Sequence, residues 1–132
     1  MEKVAPTKID IKYANEKVVF RISSCTTDKK YSLHSLKNRT TAEKFIKAIK
    51  KKEELTWKQL ASVPRERGIT PEIKNSKSYK MIDDRNKSDS MVTGEKYYFH
   101  MRVTGKFRIF GYQWKEYFFI THIDVDGKIH NH

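Results

Sequence analysis

Residues 96–129 hold alternating apolar stretches separated by turns too short for anything but a reversal of direction. Lys96 to Val103 sets Tyr97, Phe99, Met101 and Val103 against Tyr98, His100 and Arg102. Thr104-Gly105 turns the chain, and Lys106 to Tyr112 sets Phe107, Ile109 and Gly111 against Arg108, Phe110 and Tyr112. Gln113 to Lys115 turns it again before a third stretch, Tyr117 to Asp124. A period of two is the pattern of a strand with two different faces. Parallel neighbours need a crossover of a dozen residues or more, so connections this short dictate an antiparallel meander. Asp126-Gly127 carries a hairpin signature, and Ile129 to His132 is expected to return as a short fourth strand.

Upstream, two helices announce themselves by their caps. Thr40-Thr41-Ala42-Glu43 fits a capping box, with Ala42, Phe45, Ile46 and Ile49 forming one stripe behind it. Thr56-Trp57-Lys58-Gln59 is a second box, with Leu55 and Leu60 placed as a hydrophobic staple and Pro64 and Gly68 as stops. The short break between the helices predicts an antiparallel helical hairpin. Before it, residues 9–22 alternate around Ala14-Asn15-Glu16-Lys17 and read as a hairpin or an interrupted strand pair. Tyr31-Ser32-Leu33-His34 reads as a short extended piece. Residues 71–95 show no sustained period and are expected as a long loop or a partly ordered segment, with Glu72-Ile73-Lys74 as a possible short strand.

The 132 residues therefore make one domain of the α+β class: N-terminal strands, an antiparallel helical hairpin, then a three- to four-stranded antiparallel meander. The hairpin is expected to bury Phe45, Ile46, Ile49, Trp57 and Leu60 on one face of the sheet. The opposite face is expected to stay open.

Charge points to the partner. Lys and Arg total 28 against 16 Asp and Glu, a net +12, while aromatics reach 12%, too many for a disordered chain. A surplus this large in one small domain suits a polyanion, above all nucleic acid. No stretch is long and apolar enough for a membrane span, and residues 1–6 lead into no apolar signal segment. A single cysteine, Cys25, leaves no internal disulfide and suits the reducing cytoplasm.

Alternation brings His100 and Arg102 to one side of their strand, with Arg108 and Tyr112 on one side of the next. Phe118, Ile120 and His122 are expected to share a face of the third. Such a set suits phosphodiester cleavage in RNA without a metal or other cofactor. Arg102 or Arg108 would offset charge growing on the phosphorane, and His122 or His130 would move the proton. Tyr112 could stack a base. Lys44, Lys47, Lys51 and Lys106 are the candidate phosphate contacts. His122, His130 and His132 with Asp124 or Asp126 form a weaker metal-binding alternative. His130-Asn131-His132 matches the letters of a nuclease family that needs a different, helix-containing unit.

The order of elements resembles the RelE/ParE superfamily of small, basic bacterial toxins. Phe107-Arg108-Ile109-Phe110-Gly111-Tyr112 followed by Tyr117-Phe118-Phe119-Ile120-Thr121-His122-Ile123 is similar to the paired strands of that family's meander. The resemblance spans roughly residues 40–132. It implies cleavage of mRNA, in some members on the ribosome, with Arg108 as the residue carried over most directly and His122 or His130 more loosely. It also implies an acidic antitoxin partner. The competing expectation is a non-catalytic nucleic-acid- or protein-binding regulator, of phage or defence origin, that uses the basic helices.

Overall fold

Among the described residues, five strands form one sheet: β1 (Val19–Arg21), β2 (Ile69–Pro71), β3 (Tyr97–Thr104), β4 (Phe107–Trp114) and β5 (Tyr117–Asp124). Three α-helices accompany them among the same residues: α1 (Arg39–Lys52), α2 (Trp57–Ser62) and α3 (Lys77–Lys87). The computed structural model describes residues 9–64, 68–87 and 97–129. The expected meander is present as β3-β4-β5, with Tyr98 opposite Tyr112 and Tyr112 opposite Phe119. The full order is β1-β5-β4-β3-β2. β1 runs parallel to β5, so the sheet is mixed rather than antiparallel throughout. Both edge strands are three residues long, and β2 ends in Pro71, which has no N–H to offer.

The N-terminal hairpin does not form. Ile11–Tyr13 is a 3-10 turn capped by the Asp10 carboxylate, which accepts from the Lys12 amide. The chain then spends its backbone bonds elsewhere. Val18 donates to Leu55, while Trp57 and Lys58 donate to Glu16 and Ala14. Leu33–Ser35 is likewise a 3-10 turn, not an extended piece. Residue 129 lies in a bend rather than a strand, and residues 130–132 lie outside those described.

α1 and α2 cover one face. The Thr56–Gln59 capping box is formed in both directions and starts α2. It delivers Trp57 to full burial, edge-on to Phe99, with its indole N–H donating to the Glu116 carbonyl at 2.9 Å. The cap of α1 is Asn38, two residues before the expected Thr40, with its side chain accepting from the Thr41 amide. The buried line of α1 is accordingly Phe45, Ala48 and Lys52, while Ile46 is left exposed. Phe99, Met101, Ile109, Phe118, Ile120 and Ile123 fill the space beneath the helices.

The opposite face is not open. Within the stretch expected as a loop, residues 77–87 form α3, and residues 88–95 lie outside those described. The residues α3 buries, Ser78, Ile82 and Asn86, recur every four positions, and only one of them is apolar. Ile82 packs with Phe110, Tyr112, Phe119 and Ile129. Polar contacts fasten the rest. The Tyr98 hydroxyl donates to Asp83 at 2.6 Å and accepts from Asn86 at 2.7 Å, while Arg85 donates to the Ser24 carbonyl at 3.0 Å.

Pairing between β4 and β5 slips by one residue between Phe110 and Gly111, so Thr121 is the extra residue of a β-bulge. Its hydroxyl donates to the Phe110 carbonyl and its own carbonyl accepts from Thr26. The strands approach so closely here that a Cβ on Gly111 would stand 2.0 Å from the Phe119 carbonyl oxygen. Backbone cannot yield as a side-chain tip would. Gly111→Ala is therefore expected to cost about 3 kcal/mol or more, read as a lowered urea midpoint.

Candidate nucleic-acid interface

The bulge decides where the candidate catalytic residues go. Without it His122 would follow Phe118 and Ile120; with it, Ile123 joins those two beneath α1 and α2, and His122 crosses to the α3 side. Two rows of side chains result, Arg102–Arg108–Asp124 and His100–Phe110–His122. The expected gathering of Arg102, Arg108 and His122 on one face with His100 is thus present, reached by a slip rather than by simple alternation.

That face is sealed. Arg108 and His122 retain 8% and 5% of their exposure, and Tyr112 none. Tyr112 stacks on Phe119 at 5.0 Å, and its hydroxyl shares a 2.9 Å hydrogen bond with Ser24, so its ring has no face left for a base. Burial, with the nearby Arg85 charge second, drives the His122 imidazole down to about 4. A hydroxyl has one proton, and that of Thr121 goes to Phe110. The 2.9 Å contact between His122 Nδ1 and Thr121 Oγ1 therefore has the imidazole donating. A neutral, structurally committed imidazole is a poor proton shuttle at neutral pH. Burial and then Arg102 push the Arg108 guanidinium below its ordinary value, against the pull of Asp124 and Glu72. Arg102 alone of the row is partly exposed. His130 lies outside the described residues.

Sequence reasoning missed the pair beside this row. Glu72, its side chain 1% exposed, meets His100 Nδ1 at 2.5 Å and accepts from the Ser78 hydroxyl at its other oxygen. The contact ties β2, β3 and the start of α3 together. No periodic signal marks it, because Glu72 lies just past a three-residue strand. Burial pushes the Cys25 thiol up, with Arg85 opposing, as expected of a structural cysteine rather than a nucleophile. Among the described residues, no group of three His, Cys, Asp or Glu could hold a metal ion, and no helix is long and apolar enough to cross a membrane.

The lysines tell a different story. Lys44, Lys47 and Lys51 project from α1 into a groove of about 600 Å³ that runs between the helix and the end of β3. Lys52 and Arg102 complete the charge, Ala48, Leu55, Val63 and Val103 give an apolar floor, and no carboxylate lines it among the described residues. Lys52 is 7% exposed, and burial followed by the Lys51 charge pulls its ammonium below the ordinary lysine value. Lys106 is exposed in the β3–β4 turn, outside this groove. Among the described residues, no histidine, aspartate or glutamate lines this groove.

Comparison with known proteins finds no matching family model, no matching curated protein and no matching solved structure.

The buried imidazole has a consequence for stability. Its folded value lies below the ordinary 6.5, so between pH 6.5 and 4 the unfolded chain takes up a proton that the folded chain refuses. Stability is complete above that window and falls within it, by about 3 kcal/mol at most. Urea unfolding at pH 7.5, 6, 5 and 4.5 is expected to show this decline, and His122→Gln is expected to flatten it.

Proposed function

We propose that this protein binds single-stranded RNA through the groove between α1 and the end of β3, without cleaving it. The observation that carries the reading is the lining itself: Lys44, Lys47, Lys51, Lys52 and Arg102 converge, with no acidic residue among the described residues of the lining. A phosphate chain gains from every one of these cations by releasing its counterions. A positively charged groove that follows one backbone is a general mode of single-strand binding. The RelE/ParE resemblance contributes RNA as the polymer. Cleavage draws little support from the site, since His122 is neutral and enclosed and Arg108 is covered.

Lys52 adds an argument of its own. Holding a buried ammonium beside other cations costs the fold stability. An arriving phosphate would offset that cost, so a residue that is a liability to the empty protein becomes an asset to the complex.

Fluorescence anisotropy with a labelled oligouridylate tests the reading. Binding should weaken with salt with a log–log slope of about −3.5, as expected for five cations on a single strand. The triple variant Lys44→Glu/Lys47→Glu/Lys51→Glu should lose affinity by about a hundredfold or more while keeping the far-ultraviolet circular dichroism of the parent. Absence of binding at low salt, or an unchanged affinity in the triple variant, overturns the proposal. Gel analysis of the same mixtures in EDTA should show intact RNA. Lys52→Met should leave the melting temperature equal or higher and reduce RNA affinity several-fold.

A further inference from the structure

A second basic cavity, of about 520 Å³, lies at the other end of α1. Lys29, Lys30, Lys37 and Lys128 line it, with Tyr31 and His34 as ring-bearing neighbours. Two carboxylates also border it, but they differ in kind. Asp124 is buried and committed: its two oxygens accept from the Lys128 and Ile129 amides at 2.9 and 2.8 Å. Asp126 is exposed in the following turn and opposes the lysines.

The two cavities share a face of one helix. Asn38 and Thr41 border the second cavity, while Lys44, Ala48 and Lys52 border the first. These positions follow one another at three- and four-residue steps, which stacks them along one side of α1. The turns beside the helix also meet. A Cβ on Gly127 would stand 2.8 Å from the Lys106 Cβ, so the turn holding Asp126 and Lys128 abuts the β3–β4 turn. Lys106 lines neither cavity, but its turn meets the one that carries Lys128.

We infer that the two cavities are one continuous footprint, in which a single RNA strand runs the length of α1 with its phosphates on both sets of lysines. The inference rests on the RNA-binding reading and extends it to the size and shape of the ligand. α1 has 14 residues, a length of about 21 Å. At about 3.4 Å per stacked phosphate along one strand, that corresponds to about six nucleotides. A mononucleotide or a single phosphate can occupy only one cavity at a time. Tyr31 and His34 add rings on which a base of any identity can lie, so the footprint reads backbone and length rather than sequence.

Anisotropy with oligouridylates of three and nine nucleotides, on the full chain, tests this. The nonamer should bind about tenfold or more tighter than the trimer. Lys30→Glu/Lys37→Glu should weaken nonamer binding about tenfold, and Asp126→Lys should strengthen it about threefold. The gain-of-affinity variant guards against misfolding as the explanation, because a damaged fold does not bind better. If the nonamer binds, and loses affinity in the Lys44/Lys47/Lys51 variant, but ignores both second-cavity variants, the continuous footprint is wrong while the groove stands. Equal affinity for trimer and nonamer, or tighter binding of a nine-pair RNA duplex, also overturns it. Failure of every oligonucleotide to bind would instead remove the reading beneath it.

Discussion

Where β4 and β5 pass each other at Gly111, the chain admits one backbone against another and nothing more. That approach accompanies the slip at Thr121, and the slip sorts the C-terminal half of β5. Ile123 goes to the apolar core, and His122 and Asp124 go to the α3 side. A strand without the extra residue would carry His122 into the layer of Phe118 and Ile120, an unfavourable place for an imidazole, and would send Ile123 to the polar side. One inserted residue thus reconciles the composition of β5 with two chemically different faces.

Those faces are held by different physics. Beneath α1 and α2 the contact is aromatic and aliphatic, centred on Trp57, Phe99 and Phe118, and it contributes through area removed from water. Beneath α3 a smaller apolar patch is surrounded by the Tyr98, Arg85 and Glu72–His100 contacts. Each such bond adds little net stability when made but costs more when one partner is lost. The second face therefore depends more on matched geometry than on quantity of buried surface.

The meander, the second helix and the basic side of the first helix were legible because each rests on a local pattern: alternation, a capping box, lysines at helical spacing. α3 was not, because the positions it buries are Ser78, Ile82 and Asn86, and apolar periodicity is blind to a helix seated by hydrogen bonds. The start of α1 was misplaced by two residues because Asn38 and Thr40 both suit a cap. β1 was expected as a strand, but its pairing was hidden because its partner lies some hundred residues later, where no local pattern reaches. For the site, Lys44, Lys47 and Lys51 were readable as a row, but not the burial of Lys52 or the approach of Gly127 to Lys106. The burial of His122 and Arg108 was unreadable for the same reason as α3: a sheet face can be assigned from alternation, its cover cannot.

The sheet ends on both sides in strands of three residues, one closing on Pro71. Such stubs give a neighbouring molecule too few backbone donors and acceptors to add a strand of its own. A protein concentrated along a shared RNA would bring many copies into close quarters, the circumstance in which open β edges fuse into aggregates. Blunt margins, together with a large like charge on every copy, would keep such a crowd separable.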